Sequence, residues 1–182
     1  KVQVIAHRGY HLVKYENTIE SFRAAEVQGY KSIEFDVLHT ADHEPVVLHD
    51  AELAGHSDTS GSIYTMLLSD LDSIKLAGDY SIPTYESVLN KFSNSFEILY
   101  VDLKAPYSDS ALKRLVVLTK KYNAISKVII TSTDYSLVKK LKTIEPGLQL
   151  GTDGSGEQTF EDNLDECIRQ HYHTVLVFLP EL

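Results

Sequence analysis

Residues 97–131 read EILYVDLKAPYSDSALKRLVVLTKKYNAISKVIIT, and this stretch decides the class of fold. Glu97 to Leu103 is a short run rich in aliphatic residues, as a buried strand requires, and Lys127 to Thr131 is another. Between them, Ser108 to Tyr122 carries apolar residues at helical spacing behind a serine suited to an N-cap. A strand, a helix and a second strand in this order predict parallel strands joined by a crossover helix.

The same rhythm extends in both directions. Upstream, Val2 to Ala6 predicts a first strand. Asn17-Thr18-Ile19-Glu20 then has the spacing that opens a helix at Asn17, with Phe22, Ala25 and Val27 on its inner face and Gly29 ending it. Ser32 to Leu38 predicts a second strand, Val46 to His49 its extension or hairpin partner, and Thr84 to Phe92 a helix. Downstream, Asp134 to Ile144 and Thr159 to Gln170 predict helices, and Leu148 to Gly151 and Thr174 to Leu179 predict strands. Ala51 to Asp79 breaks the alternation, a Ser- and Asp-rich excursion punctuated by Gly55, Gly61 and Gly78, with one short helix near Ser69 to Leu76.

Six successive parallel strands predict an α/β fold, either an open sheet or a (β/α)8-type barrel. A barrel would carry a small insertion after its second strand (51–79) and lack its last two βα units in this sequence. The doubly wound alternative expects a glycine-rich phosphate loop after the first strand, where His7-Arg8-Gly9 stands instead.

The chain of 182 residues fits one domain, 1–182, truncated at its C-terminus on the barrel reading. Seventeen basic against 26 acidic residues give a net charge of −9, a field that repels polyanions, so no nucleic-acid partner is expected. Cys167 is the one cysteine and excludes an intrachain disulfide. Apolar runs such as Val175 to Leu179 fall well short of the ~20 residues that span a bilayer, so no transmembrane segment is expected. The opening at Lys1, directly on an apolar run, suggests that an upstream segment was removed. Localisation reads as cytoplasmic or as a membrane-tethered soluble domain, and oligomeric state is not encoded in any motif.

Polar residues accumulate where the predicted strands end: His7 and Arg8, Glu34 and Asp36, His49, Asp102 and Lys104. In a barrel that rim is the active face. Glu34 and Asp36 lie two apart in one strand, so both carboxylates share a face and repel unless a cation or protons hold them. Asp102 and Lys104 repeat the spacing. Three carboxylates suit a hard divalent ion, Ca²⁺ or Mg²⁺, with positions left for water and substrate oxygens. Taken singly, each feature also reads as solvated rim charge, a turn or a structural ion pair. Together, a cation, an arginine, a lysine and two histidines suit an anionic phosphorus centre with a proton transfer on each side. His11, His39, His43 and His56 read as surface residues, and His171 and His173 as structural.

These residues resemble the glycerophosphodiester phosphodiesterase family. The likeness rests on Ile5-Ala6-His7-Arg8-Gly9, Glu16-Asn17-Thr18, Ile33-Glu34-Phe35-Asp36-Val37 and Val46-Val47-Leu48-His49-Asp50 in matching order and spacing. It continues through Ile82-Pro83-Thr84 and Val101-Asp102-Leu103-Lys104 to Ile129-Ile130-Thr131-Ser132, and thins beyond Ser132. The resemblance implies a metal-dependent barrel hydrolysing small glycerophosphodiesters to sn-glycerol 3-phosphate and an alcohol. His7 and His49 match the general acid/base pair, Arg8 and Lys104 the phosphate ligands, and Glu34, Asp36 and Asp102 the ligands of a divalent ion. Asp102 stands where the family commonly has Glu, and Thr133 where it often has an aromatic residue. Spider-venom-type phospholipases D share Asp-x-Lys but lack the His-Arg-Gly and Glu-Asn-Thr patterns. Two alternatives accompany this reading: a lysophospholipase D- or sphingomyelinase D-like diesterase, and a catalytically silent phosphodiester-binding domain.

Overall fold

A computed structural model of the chain describes residues 4–57, 59–104, 106–155 and 157–176. Its parallel strands are β1 (Ala6–His7), β2 (Ser32–His39), β6 (Ile98–Leu103), β7 (Val128–Thr131), β8 (Gln149–Asp153) and β9 (Thr174–Leu176). They lie side by side in chain order, and β3 (Pro45–Val47) folds back antiparallel on β2. The remaining strands, β4 (Lys75–Leu76) and β5 (Tyr80–Ser81), form a separate two-stranded ribbon. Strands in sequential order joined through helices curl into a half-barrel.

The helices are α1 (Ile19–Val27), α2 (Tyr85–Phe92), α3 (Asp109–Lys121), α4 (Tyr135–Ile144) and α5 (Phe160–Gln170). Each starts where a short polar side chain accepts a backbone N–H of its first turn: Thr18, Thr84, Ser108, Asp134 and Thr159. Such a cap contributes about 1 kcal/mol. Apolar side chains behind the caps recur at helical spacing, as with Tyr85, Val88, Leu89 and Phe92, and pack on the outer face of the sheet. There Phe22 meets Phe35 and Phe92 at ring-centroid distances of 5.5 and 5.9 Å. None of the described helices is long and apolar enough to cross a membrane.

Several expectations change at this level. Helix α1 is capped by Thr18 rather than Asn17, whose side chain is committed elsewhere. Val27 is exposed, because five residues from Phe22 at about 100° each turn it about 140° away from the buried face. The first strand is Ala6–His7, and residues 2 and 3 of the predicted run lie outside the described residues. Residues 177–179 of the last predicted strand also lie outside them. Ser69 to Leu76 is a 3-10 turn, Leu68–Ser73, followed by β4 rather than one helix. The segment 51–79 rests on a second apolar cluster that includes Leu53, Ile63, Leu71 and Leu76 together with Leu38, Val46 and Leu48 from the β2–β3 hairpin.

Candidate active site

Parallel register brings the rim residues to one face. His7 pairs with Glu34, Asp36 with Asp102, and Asp102 with Thr131, and in-register neighbours project to the same side of the sheet. Below them on that side Tyr100, Ile129 and Leu176 form a small apolar layer with Ile5 and Ile98. A mouth of titratable groups therefore sits above an apolar layer, which strengthens the charge interactions nearest it.

The turn after β1 is built to aim Arg8. Arg8 and Gly9 both adopt the left-handed region, at φ 52° and 78°. A side chain at Gly9 would place its Cβ 2.4 Å from Ser21 Oγ, so only glycine fits against the first turn of α1. Ser21 Oγ donates to the Arg8 carbonyl at 3.1 Å, and the Tyr10 N–H donates to the Ser21 carbonyl at 3.0 Å. The Arg8 backbone N–H thereby points at Glu34 Oε2, 3.0 Å away. Its guanidinium reaches both oxygens of Glu16 through Nη1, at 3.0 and 3.1 Å. Arg8 Nε lies 3.0 Å from Asp36 Oδ2, an ion-pair contact without hydrogen-bond alignment.

Asp36 is the best-held carboxylate. Asn17, buried at φ 56°, donates its amide to Asp36 Oδ2 at 2.8 Å and accepts the Asp36 backbone N–H at 3.2 Å. Lys104 Nζ lies 3.1 Å from Asp36 Oδ1 and 2.5 Å from Asp102 Oδ2, bridging neighbouring strands. Thr131 Oγ1 donates to Asp102 Oδ1 at 3.1 Å. Buried Asp153 ends β8, where its carboxylate accepts from the Ser155 N–H at 2.8 Å and the Ser155 hydroxyl at 2.7 Å.

The charges sort these groups apart. Burial pushes Glu34 well above the usual carboxylate range, and Asp36 and Asp102 push it further. Burial and the Asp153 carboxylate raise Asp102 to about 7 against the opposing pull of Lys104. At Asp36 burial is outweighed by Lys104, Arg8 and the Asn17 hydrogen bond, so it is held below its ordinary value. Burial alone would lower Lys104, yet Asp102 and Asp36 raise it and keep it an ammonium ion.

Of the two histidines, His7 is lowered by burial and by the neighbouring Arg8 guanidinium, and its Nε2 stands 3.8 Å from Glu34 Oε2. His49 stands within electrostatic reach of Asp36, and its Nδ1 is 2.9 Å from Asp50 Oδ1. The structure thus brings His7, Arg8, Glu34, Asp36, Asp102 and Lys104 into one contact set, with His49 at its edge. Glu16, Asn17 and Asp50, which the sequence marked only as parts of the likeness or as a helix start, adjoin this set, as does Asp153, which was not singled out.

Between Asp36 and Asp102, two of the carboxylates expected around a divalent ion, stands the Lys104 ammonium group. Among the described residues no three metal-ligating side chains converge on one point. Glu34 Oε1, however, is buried with no hydrogen-bond partner. An unsatisfied carboxylate oxygen beside two further buried carboxylates is the donor chemistry a hard cation takes, so these residues fit such an ion.

The family model described as the glycerophosphoryl diester phosphodiesterase family matches residues 7–176. The chain belongs to this family. It is 29% identical over 161 residues to a glycerophosphodiester phosphodiesterase of Caldanaerobacter subterraneus subsp. tengcongensis, covering 83% of this chain and 66% of that protein. It is 27% identical over 207 residues to glycerophosphodiester phosphodiesterase 1 of Bos taurus, covering 98% of this chain and 62% of that protein. The chain therefore spans just under two thirds of the length of these family relatives. Among solved structures, a phosphodiesterase of Oleispira antarctica in complex with the product sn-glycerol-3-phosphate superposes with a TM-score of 0.79 at 23% identity, over 96% of this chain and 74% of that one. The glycerophosphodiester phosphodiesterase of Thermotoga maritima gives 0.78 at 24% identity, over 96% and 73%. Both likenesses establish the fold that the strand order already describes.

Proposed function

We propose that the chain is a glycerophosphodiester phosphodiesterase, hydrolysing small glycerophosphodiesters to sn-glycerol 3-phosphate and an alcohol. The observation that carries the reading is the juxtaposition of two basic side chains, Arg8 and Lys104, with the imidazoles of His7 and His49 at one mouth of the sheet. Membership of the family adds weight, as does a structural neighbour holding sn-glycerol-3-phosphate.

Arg8 and Lys104 bind and orient the phosphodiester, whose non-bridging oxygens take up their positive charge. His7 is kept neutral at neutral pH by burial and by Arg8, so it accepts the proton of the attacking hydroxyl. His49, its Nδ1 held by the Asp50 carboxylate, presents Nε2 and donates from it a proton to the leaving alkoxide. Glu34, Asp36 and Asp102 are the residues that would hold a divalent ion, Ca²⁺ or Mg²⁺, which when bound supplies charge neutralisation at the phosphate. Asn17 keeps Asp36 in place whatever cation faces it.

The test is release of glycerol 3-phosphate from glycerophosphocholine and glycerophosphoethanolamine, with Ca²⁺ or Mg²⁺ and with EDTA. Metal-dependent turnover that His49→Ala loses is the expected result. No turnover by the folded chain on either substrate would overturn the reading, and full activity in excess EDTA would overturn the role of the ion.

A further inference from the structure

His49 does not stand alone on Asp50. Asp50 Oδ1 faces His49 Nδ1 at 2.9 Å, while Asp50 Oδ2 faces His56 Nε2, also at 2.9 Å. The other nitrogen of His56, Nδ1, lies 3.2 Å from the Tyr15 hydroxyl. The Tyr15 ring stacks on Tyr80 with centroids 6.1 Å apart. Four polar groups from three separate stretches of chain thus form one file that ends on a catalytic histidine.

One assignment of donors and acceptors closes the whole file. The Tyr15 hydroxyl donates to His56 Nδ1, His56 Nε2 faces Asp50 Oδ2 in an ion-pair contact, and His49 Nδ1–H donates to the other Asp50 oxygen. In the acid form of His49 its Nε2 also carries a proton, the one given to the leaving alkoxide. His49 is left with Nε2 as its reacting nitrogen. The orientation of an imidazole is set by the bond its other nitrogen makes.

The file is anchored at its far end. The His56 N–H donates to the Leu53 carbonyl at 3.0 Å and its carbonyl accepts from the Ala77 N–H at 2.9 Å, so the ring hangs from a fixed backbone. The Tyr15 carbonyl accepts the Thr18 hydroxyl at 2.6 Å, which ties the same file to the cap of α1. Asp50 itself is about half exposed, at 49%, and among the described residues His56 supplies its second side-chain contact, which keeps it from turning into solvent.

We propose that His56 and Tyr15 are positioning residues for His49, acting through Asp50. The inference rests on the part given to His49 in the reaction above. Its sequence signal was slight, because His56 falls seven residues beyond His49 in an irregular segment where no periodicity marks which side chains turn back.

The experiment compares the full chain with His56→Leu, His56→Gln and Tyr15→Phe. The His49 tautomer is read by NMR of ¹⁵N-histidine-labelled protein, assigned against His49→Ala, and kcat and KM are measured on glycerophosphocholine. His56→Leu is expected to move His49 from the Nδ1–H tautomer to a mixture and to lower kcat about tenfold with KM unchanged, as for the loss of a residue that orients a reacting group. His56→Gln, whose amide faces Asp50 where Nε2 did, restores both readouts, and Tyr15→Phe gives a smaller change in the same direction. An unchanged His49 tautomer in His56→Leu overturns the proposal, as does an unchanged kcat. If wild-type protein proves inactive on the diester, the proposed function fails, and the tautomer measurement still decides the positioning role.

Discussion

Asp102 should make this protein less stable as the pH rises toward neutrality, and Asp102→Asn should remove that dependence. The carboxyl is buried, lies beside Asp153 and titrates at about 7 in the folded chain, against an ordinary value of 3.8. The folded state therefore holds a proton that the unfolded chain has released. The associated stability is fully present below about pH 4, declines as pH rises, and is gone above about pH 7. A gap of about three pH units at 1.36 kcal/mol each amounts to about 4 kcal/mol across the window. Urea denaturation of both proteins in EDTA, at intervals between about pH 4 and pH 8, gives the stability difference at each pH. Wild type should lose ground to Asp102→Asn by about 1.4 kcal/mol per pH unit through the middle of the range, then level off. A difference that stays flat from about pH 4 to pH 8 would refute the reasoning, because Asp102 would then be ionised in the folded chain throughout.

Two further outcomes follow from the geometry. If His49 protonates the leaving alkoxide, His49→Ala should slow alkyl diesters by about 100-fold or more, yet act far less on a p-nitrophenyl diester, whose leaving group needs no proton. His7→Ala should slow both alike, and equal losses in the two variants would remove the division of labour. Asn17→Gly tolerates the left-handed backbone at φ 56° and deletes the two hydrogen bonds to Asp36 along with the buried amide that makes them. It should destabilise the fold by about 2 kcal/mol or more in chemical denaturation, and a loss below about 0.5 kcal/mol would show that Lys104 and Arg8 hold Asp36 without help.

The order of elements was legible because each strand and helix carries its own local signal. Capping residues at Thr84, Ser108, Asp134 and Thr159 stand at the very positions where the helices begin. The facing of Glu34, Asp36, Asp102 and Lys104 was legible too, since a period of two in a strand fixes the side to which a residue points. What the sequence hid depends on distance along the chain. Asn17 has the spacing of a helix cap, and only the fold shows it spent on a carboxylate 19 residues away. Asp153 was missed because Thr152 and Asp153 are polar and the apolar run stops at Gly151, although strand pairing continues to Asp153. Composition cannot say which cation a carboxylate meets, and only the fold shows Lys104 spanning Asp36 and Asp102.

His49 follows directly on Leu48, which belongs to the apolar cluster beneath residues 51–79, whereas Phe35, Val101 and Leu103 beside Asp36 and Asp102 belong to the main one. On the proposed reaction, the two halves of the chemistry are mounted on separate foundations, and His56, Asp50 and Tyr15 are the bolts across the joint. Such a layout makes the peripheral piece exchangeable. A redesigned segment 51–79 with its own packed interior could reshape the wall facing the substrate while leaving the carboxylate bed as it stands, provided the bolts are redrawn with it. Screening grafted segments for retained orientation of His49, before any screening for turnover, would sort those that seat correctly from those that merely fold.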